Sequence, residues 1–240
     1  MRIREFREGI VDAAVEFHAT LNPLIFDGNY IKEDVREALL NIAKDFVDFL
    51  DVPNLKVEDI IVTGSNMGYS YTRYSDLDLH ILVDIKGNDK LLKDLFDAKK
   101  NQYNNDHNFT IKGIDVELYV QDINEKHHSL GQYSLNNNDW LSKPEPVEKS
   151  FKDSEVEEKV SCYIGRIKEA LKSDQVDKYL KQILEDLKKL RQNGLEKAGE
   201  FSVENIAYKV LRNTGIIPLI RERLNKIKDN HLSLAQERIK

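Results

Sequence analysis

A short acidic segment, residues 76–84, restricts what this chain can fold into more than any other part of it. Within it Asp76 and Asp78 alternate with Leu77 and Leu79, and on a β-strand residues two apart point to the same face. The leucines would enter a core while the acids share the opposite face. Adjacent carboxylates repel each other unless a cation lies between them, and hard oxygen ligands suit Mg²⁺. The pattern therefore predicts a strand that carries a divalent metal site.

A glycine–serine turn precedes this strand. Gly64 and Ser65 follow a predicted apolar strand over 57–63, and such a turn offers backbone N–H groups to phosphate. Mg²⁺ in proteins commonly binds together with substrate phosphates. Arg73 and Ser75, in the connection between turn and acids, are further candidates for contact with a nucleotide, with solvated surface charge as the more common alternative for Arg73. The two strands and their connection therefore predict a site for a metal–nucleotide complex.

A second acidic strand is predicted further along the chain. Residues 114–121 alternate with period two, so that Asp115 and Glu117 share one face and apolar residues share the other. If this strand lies beside the first, one of its acids joins Asp76 and Asp78. Glu117 is the preferred third ligand and Asp115 the alternative, because periodicity alone does not fix the direction of the strand.

These motifs resemble the nucleotidyltransferase superfamily typified by DNA polymerase β, which combines a Gly-Ser turn, an acid-x-acid strand and a third acid on a later strand. The separation of Gly64-Ser65 from Ser75-Asp76 is the usual one in that family, whereas Gly68 lies slightly earlier than the second glycine of many minimal members. Longer stretches are similar to nucleotidyltransferases encoded by large tailed bacteriophages, and these stretches are residues 21–46, 64–84, 107–122, 131–145 and 199–215.

The resemblance implies transfer of a nucleoside monophosphate from an NTP to a hydroxyl acceptor, with Mg²⁺ or Mn²⁺ as cofactor. Asp76 and Asp78 would hold two divalent ions, and Glu117 would bind the ion that activates the acceptor hydroxyl. Gly64 and Ser65 would hold the β and γ phosphates. The acceptor could be a protein side chain, a small molecule or an RNA end, and nucleotide cyclisation or oligonucleotide synthesis is a further option. The alternative from a different class is an inactive module that keeps the fold and acts as an antitoxin or binds a partner.

Residues outside these motifs are weaker candidates for the same site. Tyr133 could stack on the base or pack as an aromatic side chain beneath a loop. Lys209 and Arg212 lie three apart on a predicted helix and share a face, so they could reach phosphate, with ordinary solvated charge as the alternative. His80 follows the acids on their strand face and is either a substrate contact or a structural histidine. The adjacent pair His127–His128 is a poor zinc site.

The composition of the chain restricts its possible binding partners and its cellular compartment. The 240-residue chain is 40% hydrophobic and 32% charged, which is ordinary for a soluble globular protein. Its net charge of −6 argues against extensive DNA binding, which needs many Lys and Arg against phosphate. The apolar runs are far shorter than the ~20 residues that span a bilayer. A single cysteine, Cys162, favours the cytoplasm, and the resemblance places that in an infected bacterial host.

The predicted fold class is α+β. A nucleotidyltransferase catalytic domain over 1–150, with N-terminal helices and a mixed β-sheet flanked by helices, is expected to precede a helical bundle domain over 151–240. The catalytic part contains a predicted helix over 33–50, and Asn88–Asp89 could cap a second one. Residues 124–150 show no strong period and predict an ordered loop.

The C-terminal part is predicted to be helical throughout. One helix carries Val160 and Ile164, and their neighbour Cys162 is expected to be buried with them. A further helix stops at Gly194, another begins at Ser202, and a last one begins at Pro218.

Overall fold

The computed structural model describes residues 9–85, 90–125 and 129–237, with side chains described as far as Ser233. The predicted cap at Asn88–Asp89 and the pair His127–His128 lie outside these residues. The chain divides into two compact units, one over Glu16–Glu148 and one that combines the residues from Lys149 onward with the described residues before Glu16. The predicted domains, 1–150 and 151–240, differ from these units chiefly at the N-terminus.

The unit over Glu16–Glu148 contains a mixed sheet and two helices. Its elements in chain order are β1 (Phe26–Asp27), β2 (Tyr30–Ile31), α1 (Glu33–Leu50), β3 (Val57–Thr63), β4 (Leu77–Val83), α2 (Lys90–Asp106), β5 (Thr110–Ile111), β6 (Ile114–Asp122), β7 (Gln132–Ser134) and β8 (Asp139–Ser142). The first two strands form a small hairpin, and the others form a sheet in the order β5-β6-β4-β3-β7-β8. Strands β4 and β6 are parallel, and the other neighbouring pairs are antiparallel.

The core of this unit follows from the periodicity of the sequence. Strand β4 buries every second residue, from Leu77 to Val83. Helix α1 has the predicted bounds, and it buries a stripe at spacings of three and four that includes Val35, Leu39 and Phe46. Burial of each such side chain contributes about 1.5–3 kcal/mol, so this stripe fixes α1 to the unit.

The prediction of a loop over 124–150 is wrong in part, because β7 and β8 lie there. β7 pairs with β3 through Ile61–Ser134 and Val62–Tyr133, and β8 pairs with β7 in turn. The ring of Trp140 stacks on Phe26 at 5.5 Å. Both strands are too short to show a period of two, so their stability comes from pairing and aromatic packing rather than from local pattern.

The second unit is helical. It contains α3 (Asp153–Ala170), α4 (Val176–Ala198), α5 (Val203–Asn213) and α6 (Ile216–Glu237), preceded by a 3₁₀ turn over Ile10–Ala13 that packs on α3 and α5. Asn213 donates a hydrogen bond from Nδ2 to the carbonyl of Ala13 at 2.7 Å. The α+β class, with a mixed sheet, flanking helices and a C-terminal helical part, is therefore confirmed.

Three features of the helical unit differ from the predictions. Helix α6 begins at Ile216, two residues before the predicted start at Pro218. Helix α4 continues through Gly194 and ends before Gly199, which adopts a φ of 72°. A Cβ on Gly194 would lie 2.6 Å from Ser202 Oγ, so this glycine allows close packing against the start of α5 rather than ending a helix. Ser202 caps α5 as predicted, since its Oγ accepts from the Asn205 amide. Cys162 is exposed, so the prediction of a buried thiol is wrong.

Among the described residues, none of the helices combines the length and the apolar character needed to cross a membrane.

Candidate metal centre

Three carboxylates meet at one end of the sheet. The parallel pairing of β4 with β6 places Asp78 beside Glu117, and Asp76 immediately precedes β4. One carboxylate oxygen from each of these three residues lies within 4.8 Å of the other two. The two aspartates are half-buried and Glu117 is exposed. The sequence therefore predicts correctly that these side chains lie together.

The register of β6 places Glu117, and not the alternative candidate Asp115, beside the two aspartates. Asp115 is exposed and pairs with Thr110 of β5, and it does not belong to the group of three carboxylates. Because β4 and β6 are parallel, Glu117 lies directly across from Asp78. The direction of β6, which periodicity could not supply, makes this choice.

The chemistry of the donors fits a divalent metal ion. The cluster offers carboxylate oxygens from residues 76, 78 and 117, which are the hard ligands that Mg²⁺ and Mn²⁺ prefer. The partly buried aspartates lie close to like charge, and a cation bound between the carboxylates would relieve this repulsion. The site can therefore accept a hard divalent ion.

Gly64 brings the loop after β3 against this cluster. Its φ is 87° and its ψ is −173°, a conformation that side chains with a Cβ rarely adopt. A Cβ at this position would lie 2.2 Å from Oδ2 of Asp78. Only glycine therefore lets the main chain of the loop contact the acid, which places the predicted phosphate-binding turn directly beside the predicted metal ligands.

The serines that the sequence selects are also in contact. Ser65 donates a hydrogen bond from Oγ to Ser75 Oγ at 2.7 Å, and Ser75 Oγ also accepts from the Thr72 amide at 2.9 Å. Arg73 lies at the exposed tip of the same loop, where its guanidinium stacks 4.7 Å from the centroid of the Tyr74 ring. The loop thus closes on itself next to Asp76.

Asn66 is a buried residue of this loop that sequence reasoning missed. Its side chain is wholly buried, and its Nδ2 donates to the carbonyls of Ser75 at 3.0 Å and Asp76 at 2.9 Å. Its Oδ1 accepts from Asn22 Nδ2 at 2.8 Å. A fully satisfied buried network rigidifies its surroundings, so Asn66 fixes the main chain at the first acid. The signal was an asparagine inside a tight turn, a residue type that commonly bonds to nearby backbone.

Two other segments support the loop from outside. The Gly64 amide donates to Ser129 Oγ at 3.2 Å, and a Cβ on Gly131 would lie 1.7 Å from the carbonyl oxygen of Met67. On another side, the ring of His18 stacks on Tyr71 at 3.8 Å. None of these residues carries a local motif, because their role depends on contacts between distant parts of the chain.

A second row of side chains lies beyond the acids on β4 and β6. His80 stacks on Tyr119 with ring centroids 4.7 Å apart. This is the kind of contact expected of a structural histidine. The Tyr119 hydroxyl donates to Glu117 Oε2 at 2.5 Å. Burial and the nearby charge of Asp78 raise the pKa of Tyr119 well above its usual range.

Three other predicted nucleotide contacts have local partners of their own. Tyr133 is wholly buried, with its hydroxyl bonded to Asn138 at 2.9 Å and its ring edge-on to Trp140 at 5.1 Å, so the packing alternative describes it. In the helical unit, Lys209 Nζ lies 2.8 Å from Glu200 Oε1. Arg212 donates from Nε to Asn213 Oδ1 at 2.9 Å. The roles of Lys209 and Arg212 in phosphate binding stay predictions.

Comparison with known proteins adds little to this geometry. No family model matches the chain, and no curated protein matches it. Among solved structures, it is similar to the STING-associated CdnE c-di-GMP synthase from Capnocytophaga granulosa at 14% identity, over 83% of this chain and 84% of that one. The TM-score is 0.25, and a likeness that weak carries no argument about function.

Proposed function

We propose that this protein is a metal-dependent nucleotidyltransferase that moves a nucleoside monophosphate from an NTP to a hydroxyl acceptor. The observation that carries the proposal is the meeting of Asp76, Asp78 and Glu117, whose carboxylate oxygens lie within 4.8 Å of one another, beside the glycine turn at Gly64. Acids clustered against a turn with a phosphate-binding motif combine the two binding sites that such a transfer requires.

Each group would have a separate task in this reaction. Asp76 and Asp78 would hold the divalent ions, and Glu117 would complete the site on the acceptor side. Such ions, when bound, neutralise charge on the triphosphate and lower the pKa of an acceptor hydroxyl. The Gly64–Ser65 turn would bind the β and γ phosphates through backbone N–H groups of the turn other than that of Gly64, which donates to Ser129. The Ser65 hydroxyl would exchange its bond to Ser75 for one to phosphate. The rigid main chain around Asn66 would keep the turn and the acids in register.

The acceptor is expected to be compact. With a net charge of −6, the chain is poorly suited to the many phosphate contacts that extended nucleic acid requires. A protein side chain, a small molecule or an RNA end fits this charge better than duplex DNA does.

The test is incubation of the protein with each α-³²P-labelled NTP and with Mg²⁺ or Mn²⁺. Bacterial lysate, total RNA or no acceptor would be supplied, and products would be resolved by size. We expect radiolabel in a product with one or more NTPs and in none without metal. If the folded protein labels nothing with any NTP, metal and acceptor, the proposal is wrong and the inactive binding module becomes the better explanation.

Replacing one of the paired acids provides the matched control and the first prediction. Asp76→Asn or Asp78→Asn should reduce transfer by several orders of magnitude, since each removes a charged metal ligand. Either change should also raise the melting temperature of the metal-free protein by a few degrees, because it relieves repulsion between carboxylates. Full transfer activity in either variant contradicts the assignment of the acids.

A further inference from the structure

Tyr119 contacts the metal centre without belonging to it. It lies on β6 two residues after Glu117, so both side chains point to the same face of the strand. Its hydroxyl donates to Glu117 Oε2 at 2.5 Å. This bond uses one of the several acceptor sites of the Glu117 carboxylate, which leaves others for a bound ion.

The ring of Tyr119 is itself held by neighbouring elements. The parallel register places His80 of β4 directly opposite, and the two rings stack at 4.7 Å with an angle of 19° between their planes. The Lys100 ammonium of α2 lies over the same ring, 4.9 Å from its centroid. A stacked ring with a cation on it has little freedom to turn, so the position of the hydroxyl is set.

Helix α2, which supplies Lys100, is in turn fixed to β6. The side chain of Asn104 donates to the carbonyl of Leu118 at 3.0 Å and accepts from the Leu118 amide at 3.1 Å. These two bonds satisfy the main-chain N–H and C=O of Leu118, the residue before Tyr119, as a neighbouring strand would. Two strands and a helix therefore determine where the phenol points.

Glu117 needs such a partner more than the aspartates do. Its side chain is exposed, whereas those of Asp76 and Asp78 are half-buried, and repulsion from the two aspartates favours rotamers that turn it away from them. A rotation of the side chain into solvent would remove the third donor before an ion binds. A neutral hydroxyl bonded to its carboxylate opposes that rotation.

We propose that Tyr119 is a positioning residue for the metal centre: its hydroxyl holds Glu117 against Asp76 and Asp78, so that the third ligand is in place before the ion arrives. This rests on the metal site of the proposed function. Partners that orient metal ligands through hydrogen bonds contribute about tenfold to a hundredfold in metal affinity or activity.

The experiment compares two tyrosine-to-phenylalanine variants of the full chain. Tyr119→Phe removes only the hydroxyl that reaches Glu117. Tyr103→Phe is the matched control, because Tyr103 is buried in the core and its hydroxyl donates to the carboxylate of the exposed Asp45, also at 2.5 Å. Binding of Mn²⁺ alone would be measured by the loss of its free EPR signal, and folding by circular dichroism and thermal unfolding.

We expect Tyr119→Phe to weaken Mn²⁺ binding by about tenfold or more, while Tyr103→Phe lowers the melting temperature and leaves Mn²⁺ binding unchanged. Wherever transfer is measurable, excess Mn²⁺ should restore part of the rate of Tyr119→Phe, and the KM for NTP should stay close to that of the wild type. If Tyr119 served only folding, excess Mn²⁺ would not restore the rate. The two variants would then also not differ in Mn²⁺ binding.

The outcomes separate this proposal from the proposed function. Unchanged Mn²⁺ binding in a folded Tyr119→Phe protein overturns the positioning role, even if transfer by the wild type is confirmed. Weaker Mn²⁺ binding in that variant supports the role, even if no NTP proves to be a substrate. A wild type that binds no Mn²⁺ overturns both.

Discussion

At the scale of single residues, the close approach of Gly64 to Asp78 makes the site sensitive to one methyl group. A Cβ on Gly64 would lie 2.2 Å from Asp78 Oδ2, and the φ of 87° already disfavours any side chain. We predict that Gly64→Ala displaces Asp78, reduces transfer at least a hundredfold, and costs about 1–3 kcal/mol of unfolding free energy. Thermal unfolding and the labelled-NTP assay would measure both effects.

Gly68 provides a control within the same loop. Its φ is −155°, which any residue adopts, and its added Cβ would come no closer than 3.7 Å to a neighbouring atom. Gly68→Ala should therefore leave both transfer and stability close to those of the wild type. Equal effects of the two substitutions would mean that general flexibility of the loop, not contact with Asp78, is what matters.

The third acid offers a second comparison at the residue scale. Glu117→Gln should reduce transfer by orders of magnitude, because it replaces a charged ligand beside Asp78. Asp115→Asn should change the rate less than about threefold, since Asp115 lies outside the carboxylate group and the removal of an exposed charge is screened by solvent. Steady-state rates at saturating metal would rank the two. The reverse ranking would make Asp115 the functional acid.

At the scale of elements, the packing of α4 against the start of α5 depends on Gly194. Alanine is ordinarily favoured over glycine in a helix by about 1 kcal/mol. At Gly194 the added Cβ would meet Ser202 Oγ and Glu204 Cβ, both at 2.6 Å. We therefore predict that Gly194→Ala is destabilising by about 1–3 kcal/mol, as measured by urea unfolding.

Gly165 of α3 shows what the same substitution does without a neighbour. It is exposed, and an added Cβ there would have no described atom within 4 Å. Gly165→Ala should stabilise the protein by about 0.5–1 kcal/mol. If Gly194→Ala stabilises the protein as Gly165→Ala does, then α5 can move away from α4 at little cost. The close contact would then not be required for stability.

Elements with a strong period were predictable from sequence, and those formed by distant pairing were not. The bounds of α1 and β3 were predicted to the residue, because their apolar spacing is decisive over seven residues or more. β7 has three residues and depends on β3 for its hydrogen bonds, so no local pattern reveals it. Cys162 was misplaced for a geometric reason: residues 160 and 164 share a helix face, and the residue midway between them points away from it.

The candidate metal centre also combines residues that were predictable from sequence with residues that were not. Asp76 and Asp78 were predictable because a strand sets the direction of its own side chains. The choice of Glu117 over Asp115 needed the parallel pairing of β4 with β6, which no single strand encodes. Asn66 acts through Asn22, 44 residues away, so its role could be seen only in the folded chain.

At the scale of the whole molecule, we predict that Lys209 and Arg212 of the helical unit contribute to nucleotide binding. Lys209 is paired with Glu200, and the side chains of both are less than 20% exposed. Lys209→Ala would leave that carboxylate without its partner, which costs about 2 kcal/mol, so its effect on binding would be mixed with its effect on folding. Arg212, which is exposed, tests the prediction more cleanly.

We predict that Arg212→Ala weakens binding of NTP with Mg²⁺ by about threefold to tenfold, a loss appropriate to a charged contact with phosphate, and leaves the melting temperature unchanged. Calorimetric titration would measure the affinity, with the double variant Lys209→Ala/Arg212→Ala as the stronger perturbation. If both variants are folded and bind NTP as the wild type does, α5 is a packing element only.

The exposed position of Cys162 gives the protein a natural attachment point for a probe. It is the one cysteine in the sequence, and it lies on the surface of α3. A thiol-reactive nitroxide would therefore attach at a single place in the helical unit without any engineered substitution. With Mn²⁺ as the second paramagnetic centre, pulsed dipolar spectroscopy could measure the distance between the label and the acidic site. A change in that distance when nucleotide is added would report a conformational change.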